Sequence, residues 1–194
     1  MIPTLPSKVP TMGNRFTRAL GRGLVRLSGW RMEGEVPNQA RCVVALAPHT
    51  SNWDFFIAIP FLLALGIKAS WLMKKEAFYW PGKGLLLKMG GVPIDREAPQ
   101  GLVGQVVSWF NEKEAVWVVL TPEGTRDKVK QWKTGFLQMA KQADVPIALA
   151  GWDYQNKVVR FAGTFEPSGD DQADLEHIQA IFNRQFSAKY PDLA

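Results

Sequence analysis

Short apolar runs alternate with longer amphipathic segments along most of this chain. The apolar and β-branched runs predict strands at 41–47, 69–73, 91–94, 115–121, 145–151 and 157–163. The segments with helical periodicity predict helices at 54–65, 82–89, 99–112, 134–143 and 172–189. This alternation is typical of a single α/β domain with a mostly parallel sheet flanked by helices. A turn at 153–157 also predicts a hairpin, and therefore some antiparallel pairing.

An amphipathic helix is predicted at 12–30, before the first strand. Its apolar residues and its arginines each recur at steps of three or four, so they form two adjacent faces. The apolar set is Phe16, Leu20, Leu24, Leu27 and Trp30, and the basic set is Arg15, Arg18, Arg22 and Arg26. Such a helix can lie in a membrane interface with its arginines on anionic headgroups. It can equally pack on its own domain with a solvated basic edge, because its glycines weaken it in isolation.

The excess positive charge lies in this N-terminal segment. The formal charge of the chain is +5 at pH 7, and residues 1–31 contain six lysines and arginines and no acidic residue. We therefore expect an arm and a basic amphipathic helix at 1–32, followed by the α/β domain at 33–194. An anionic membrane surface is the expected partner of the basic segment. Nucleic acid is not expected, because no recognised nucleic-acid-binding motif accompanies the helix.

Cysteine content and hydropathy bear on the cellular compartment. Cys42 is the one cysteine among 194 residues, so an intramolecular disulfide is excluded and a reduced, cytoplasmic location is expected. The apolar run at 55–67 is shorter than the roughly 18 residues that a membrane-spanning helix needs. We therefore expect no transmembrane helix, and peripheral attachment to the cytoplasmic face of a membrane.

The first candidate for chemistry is the pair His49 and Asp54, which lies between a predicted strand and a predicted helix. On one continuous helix, residues five apart are roughly 140° apart around the axis and cannot cooperate. In a strand-to-helix turn, the chain can fold back and bring the carboxylate onto the imidazole. A histidine held in this way is a general base, because the carboxylate fixes its tautomer and stabilises the imidazolium. The alternative is that Asp54 only caps the helix and His49 is unrelated to it.

Two arginines follow the ends of predicted parallel strands. Arg96 ends the block at 91–96, and Arg126 ends the block at 122–126. Ligands of open α/β sheets bind beyond the carboxyl ends of the strands. The guanidinium group grips phosphate oxygens with two charge-assisted hydrogen bonds, so arginines near a general base indicate a phosphorylated substrate. Glu123 can either bind that substrate or orient Arg126, and surface salt bridges are the alternative for both arginines.

Four blocks of this chain stand out together: His49-x-x-x-x-Asp54, the 91–96 segment that ends Ile-Asp-Arg, Pro-Glu-Gly-Thr-Arg at 122–126, and Val-Pro-Ile at 145–147. In order and spacing, they resemble the blocks of the glycerolipid acyltransferase family, which acylates lyso-lipids such as 1-acylglycerol 3-phosphate. The resemblance covers about residues 40–150.

This resemblance implies an acyltransferase. His49, oriented by Asp54, would deprotonate the hydroxyl of the lyso-lipid, which attacks an acyl-CoA or acyl-carrier-protein thioester. With 1-acylglycerol 3-phosphate as acceptor, the product is phosphatidic acid. The resemblance also implies which residues hold the acceptor phosphate: Arg96, Glu123, Gly124, Thr125 and Arg126. It implies no metal and no cofactor beyond the acyl donor, which is a cosubstrate.

Four departures from the family pattern leave the acceptor open. Pro93 and Thr121 replace apolar residues, Asp127 replaces a common serine, and Leu149 stands where the fourth block has a second proline. None of these removes a reacting group, so another lyso-lipid acceptor is the first alternative. The second is a catalytically silent protein that binds anionic lipid. A serine hydrolase is disfavoured, because the chain has no Gly-x-Ser-x-Gly motif.

Overall fold

The strands of this protein form one sheet, and the candidate site lies at the carboxyl ends of its central strands. A computed structural model describes residues 2–79, 81–94 and 101–193. Within this part of the chain, the sheet has seven strands in the order β1-β7-β6-β2-β5-β3-β4. The strands are β1 (Arg31–Glu33), β2 (Arg41–Leu46), β3 (Ala69–Lys74), β4 (Gly91–Ile94), β5 (Val116–Leu120), β6 (Ile147–Asp153) and β7 (Val158–Phe165).

Helices connect most of these strands. They are α1 (Arg15–Ser28), α2 (Trp53–Leu65), α3 (Lys83–Lys88), α4 (Gly101–Glu112), α5 (Gly135–Ala143) and α6 (Asp171–Gln185). The bounds of α1 follow from its caps. The Asn14 side chain accepts the backbone N–H groups of Phe16 and Thr17, and Gly29 ends the helix in the left-handed region at φ 71°.

The predicted fold class is confirmed. The pairs β2–β5, β2–β6, β3–β5, β3–β4 and β1–β7 are parallel. The predicted hairpin is also confirmed, because β6 and β7 pair antiparallel. Periodicity missed β1, since a strand of three residues is too short to carry a period of two. It is the edge strand of the sheet and pairs with β7 through backbone contacts that no local pattern encodes.

The two faces of the sheet are covered by different helices. Alternate residues of β2 point to opposite faces: Val43 lies in the core with α4, α5 and α6, and Val44 lies in the core with α1 and α2. Both valines are buried, as expected for a central parallel strand with helices on both sides. Cys42 is also buried, and burial raises the pKa of its thiol.

Helix α1 packs on α2 through a small residue. A side chain on Gly21 would meet the backbone of α2, since an ideal Cβ there would lie 2.3 Å from the amide nitrogen of Ala64. Val25, one turn further on, is also buried. The predicted boundary between residues 32 and 33 falls within β1. The division into an N-terminal segment and a domain stays a prediction.

Although α1 is packed on the domain, its apolar stripe is not covered. Phe16 is 74% exposed and Leu27 is 86% exposed, and Leu20 and Leu24 on the same face are also exposed. In the described part of the chain, no helix combines the length and the apolar character needed to cross a membrane.

Candidate active site

The site lies where the carboxyl ends of β2 and β5 meet. After β2, the chain passes through residues 47–52 into α2, and after β5 it passes through residues 121–134 into α5. Because β2 and β5 are adjacent and parallel, these two segments leave the sheet at the same edge. The turn into α2 brings His49 and Asp54 together.

His49 and Asp54 form a hydrogen-bonded pair. The Nδ1 atom of His49 lies 2.9 Å from Oδ2 of Asp54. The same carboxylate oxygen accepts the backbone N–H of Ser51 at 3.1 Å, and the other oxygen accepts the hydroxyl of Tyr154 at 2.5 Å. Asp54 is completely buried, whereas the imidazole is partly exposed. With Nδ1 engaged by Asp54, Nε2 is the ring nitrogen available to a substrate.

Glu123 supports the loop that carries His49. Its Oε1 atom accepts the backbone N–H of His49 at 2.9 Å, across 74 residues of sequence. Its Oε2 atom is buried and has no hydrogen-bond partner among the described residues. Burial raises the pKa of this carboxyl, because the charged form loses its hydration. The contact with His49 was not foreseen from the sequence, which offered only substrate binding or the orientation of Arg126.

A second connection holds the same loop from β6. The indole N–H of Trp152 donates to the carbonyl oxygen of Pro48, directly before His49. Trp152 is buried, and its neighbour Gly151 lies so close to Ala47 that a side chain there would clash with the carbonyl oxygen of Ala47. The loop that carries His49 is therefore fixed by the strands on both sides of β2.

A cavity of about 580 Å³ opens beside His49. Gly124, Thr125 and Arg126, which were predicted to hold the acceptor phosphate, line it. Thr121 and Asp127, two of the departures from the family pattern, line it as well. Its apolar side comes from the strand ends and from α4 and α5, and includes Leu72, Met73, Leu120, Phe136 and Met139. The cavity thus combines a base, cations and an apolar wall.

Lys133 also lines this cavity, and sequence reasoning missed it. Its side chain lies across Gly124, where an ideal Cβ would be 2.9 Å from the Lys133 Nζ atom. Its backbone N–H donates to the carbonyl oxygen of Pro122 at 2.9 Å. The sequence feature that could have identified Lys133 as a binding residue is its position just before a predicted helix. The positive end of a helix attracts anions, and α5 begins at Gly135.

The remaining predicted site residues are Arg96 and the four arginines of α1. Arg96 falls outside the described residues. The arginines of α1 are not among the residues that line the cavity, and they differ in exposure. Arg15, Arg22 and Arg26 are exposed, whereas Arg18 is partly buried and packs over Gly66 at the end of α2.

A smaller cavity of about 70 Å³ lies between α2 and the sheet. Almost all of its lining is apolar and comes from α2 and the neighbouring strands, including Ala58, Phe61, Leu62, Val119, Trp152 and Phe161. It lies on the α1 and α2 side of the sheet, opposite to the face covered by α4 and α5.

Comparison with known proteins agrees with this architecture. A family model named Acyltransferase matches residues 30–149. A 1-acyl-sn-glycerol-3-phosphate acyltransferase of Streptococcus pneumoniae is 27% identical over 194 residues, which cover 89% of this chain and 71% of that protein. A protein of the same name from Pseudomonas aeruginosa is 32% identical over 112 residues, which cover 55% of this chain and 42% of that protein.

A solved structure has the same fold. The crystal structure of the 1-acyl-sn-glycerophosphate acyltransferase PlsC from Thermotoga maritima is similar with a TM-score of 0.62 and 16% sequence identity, over 88% of this chain and 77% of that one. The fold and the length of the family match define the class of this protein as an acyl-transferring enzyme. The chain belongs to the acyltransferase family.

Proposed function

We propose that this enzyme transfers a fatty acyl chain from an acyl-CoA or acyl-carrier-protein thioester to the hydroxyl of a lyso-lipid. The acceptor that we favour is 1-acylglycerol 3-phosphate, which gives phosphatidic acid. The observation that carries the proposal is the 2.9 Å contact between His49 and Asp54 at the wall of a cavity that Arg126 also lines.

In the proposed reaction, Nε2 of His49 removes the proton from the acceptor hydroxyl as its oxygen attacks the thioester carbonyl. Asp54 holds the proton on Nδ1 and stabilises the imidazolium that forms. When the tetrahedral intermediate collapses, the C–S bond breaks and the imidazolium returns the proton to the leaving thiolate. Ester and thiol are the products, and the base is regenerated. General-base help of this kind is worth about 10²–10⁴-fold in rate.

The acceptor phosphate is proposed to bind between Arg126, Lys133 and the start of α5. Of the residues that the structure describes, Arg126 and Lys133 are the cations that line the cavity, and Gly135 and Phe136, the first residues of α5, line it as well. The side chain of the N-cap residue Thr134 makes no capping hydrogen bond, so the positive end of α5 is available to an anion. Thr125 and Gly124 are proposed to complete the phosphate site. Arg96 keeps its proposed role there, although it lies outside the described residues.

For Glu123 we propose a different role from phosphate binding. Its carboxyl is buried and already accepts the N–H of His49, and a buried carboxylate would repel a phosphate. We propose that it holds the His49 loop in place. Asp127, which also lines the cavity, favours an acceptor that brings hydroxyls or a cation as well as a phosphate. A second lyso-lipid acceptor therefore stays a specific alternative.

For the acyl chain, we propose the apolar wall of the cavity beside His49, because a cavity of about 580 Å³ has room for hydrocarbon next to the base, whereas the apolar cavity of about 70 Å³ between α2 and the sheet does not. For attachment, we propose that the exposed stripe of α1 enters a membrane interface while Arg15, Arg22 and Arg26 contact anionic headgroups. The membrane would be reached from the cytoplasm. The same stripe also supports the second candidate function, a protein that binds anionic lipid without turnover.

The decisive experiment is mass-spectrometric detection of diacylated product. Purified protein is mixed with acyl-CoA or acyl-carrier protein of several chain lengths and a panel of anionic and zwitterionic lyso-lipids. Product that forms with wild type and disappears in His49→Ala supports the proposal and identifies the acceptor. Thioester consumption without lipid product would replace it with a thioesterase activity. Vesicle binding without any donor consumption would favour the silent lipid binder.

A further inference from the structure

Tyr154 reaches the buried side of the His49–Asp54 pair from a distant part of the chain. It directly follows β6, and its hydroxyl donates to Oδ1 of Asp54 at 2.5 Å, across 100 residues of sequence. It lies outside all four blocks that resemble the family. The two oxygens of Asp54 thus have different partners: Oδ2 faces His49 and Ser51, and Oδ1 faces Tyr154.

We propose that Tyr154 is a positioning residue of the catalytic pair, whose hydroxyl holds the Asp54 carboxylate ionised and turned toward His49. This role rests on the function proposed above. A carboxylate with one bonded oxygen can rotate about its Cβ–Cγ bond, whereas donors on both oxygens fix its plane. Fixing that plane keeps Oδ2 on Nδ1 of the imidazole, and therefore keeps Nε2 free to act as the base.

Burial makes the Tyr154 hydrogen bond important for the charge on Asp54. Asp54 is 0% exposed, so hydrogen-bond donors must replace the water that its carboxylate has lost. Besides Nδ1–H of His49, the backbone N–H of Ser51 and the phenol of Tyr154 are the donors that the described residues provide. Burial and the nearby Asp54 raise the pKa of Tyr154, so its phenol keeps its proton and keeps donating at neutral pH.

The ring of Tyr154 is itself held in place. It packs edge-to-face against Trp30, with 5.1 Å between ring centroids, and its backbone N–H donates to the carbonyl oxygen of Ser187 at 3.1 Å. Removing only the hydroxyl leaves both contacts intact. Tyr154→Phe is therefore a clean test, because the ring, its packing and the backbone remain.

Other titratable groups surround the pair and are unchanged in this variant. Glu123 approaches from the segment after β5, and Tyr190 approaches Tyr154 from the C-terminal segment. Among the described residues, the charged groups that line the cavity beside His49 are Arg126, Asp127 and Lys133. Any change in the titration of the pair in Tyr154→Phe is then due to the lost hydroxyl.

The first readout is an NMR titration of the histidine side chains, which needs no substrate. The chain has two histidines, and the second, His177, is exposed and packs on Phe165, so it serves as an internal reference. The hydroxyl stabilises the deprotonated, negatively charged state of the pair, so its loss makes the pair hold its proton more tightly. The midpoint of the His49 titration should rise by about one pH unit in Tyr154→Phe, and that of His177 should not move.

The second readout is the pH profile of acyl transfer. The acidic limb of kcat/KM should move up by the same amount, with a loss of about tenfold on the acidic side of both midpoints that diminishes as the pH rises. A loss that is equal at all pH values would indicate a merely structural role. The matched control is Tyr190→Phe, which removes a nearby phenol hydroxyl and should change neither readout.

These two readouts separate the inference from the proposed function. If the His49 midpoint is the same in wild type and Tyr154→Phe, the inference is overturned whatever the activity. If wild type transfers no acyl group, the proposed function fails, and the NMR titration still decides whether Tyr154 controls the pair.

Discussion

Nδ1 of His49 lies 2.9 Å from Oδ2 of Asp54, although α2 begins between these two residues. The pair is possible because His49 is still in the loop and Asp54 is the second residue of the helix. The first helical turn folds the carboxylate back over the loop. A base assembled in this way depends on the loop as much as on the two side chains.

The pair should be essential for turnover. His49→Ala and Asp54→Asn should each lower kcat by at least about 100-fold, since general-base help is worth about 10²–10⁴-fold. Asparagine is preferable to alanine at Asp54 because it fills the buried site, and it should fail because its amide cannot hold the same tautomer of His49. His177→Ala is the matched control and should be fully active. Normal turnover by either variant would exclude this mechanism.

Lys133 should bind the acceptor and leave the chemistry unaffected. Lys133→Gln removes a cation that lines the cavity, so KM for an anionic acceptor should rise by about tenfold, the worth of one charge-assisted hydrogen bond. The value of kcat should change little. Lys130→Gln, an exposed lysine of the same segment that is not among the cavity-lining residues, is the control. Equal effects of the two substitutions would indicate only a general loss of charge.

Gly21 should be necessary for the contact between α1 and α2. An ideal Cβ would lie 2.3 Å from a backbone atom of α2, so Gly21→Ala should force the helices apart and cost about 1–3 kcal/mol in the free energy of unfolding. Gly23→Ala tests the same helix without the clash, because nothing lies within 4 Å of its Cβ position. It should stabilise the protein by about 0.5–1 kcal/mol. Urea denaturation of both variants is the measurement, and a neutral Gly21→Ala would contradict the observed packing.

The four arginines of α1 should have two different roles, three of them in membrane binding and one in stability. Replacing Arg15, Arg22 and Arg26 together with glutamine should weaken sedimentation with anionic vesicles on the order of 100-fold, at about 1 kcal/mol for each exposed arginine. Added salt should weaken wild-type binding in the same way. Arg18→Gln should instead lower stability, because that side chain packs over Gly66. If the triple variant binds vesicles as wild type does, α1 is only a packed helix and the membrane proposal fails.

Glu123 should give the stability a recognisable pH dependence. Burial raises its pKa in the folded state, so folding favours the protonated form. Its contribution to stability is then present below the unfolded pKa and is lost as the pH rises through the folded pKa. Glu123→Gln lacks this titration, so its free energy of unfolding relative to wild type should increase between acidic and neutral pH. Denaturant unfolding at several pH values tests this, and a constant difference would contradict it.

Periodicity and motif order predicted the fold class, six of the strands and the positions of the helices. Those features are local, because a buried strand or an amphipathic helix is encoded by residues within one turn or a few positions of each other. The same reasoning placed His49 and Arg126 near one edge of the sheet, since parallel strands end together. It could not find β1, which exists only through its pairing with β7.

By itself, then, the sequence determined an α/β acyltransferase with a histidine and an aspartate at the start of a helix. Only the tertiary structure decided which groups hold that pair. Glu123, Trp152 and Tyr154 contact the His49 loop or Asp54 across 74 to 104 residues. The tertiary structure also decided that α1 docks on α2 through Gly21 and leaves its apolar stripe exposed. These contacts depend on how distant segments pack, and no pattern within one segment records its partner.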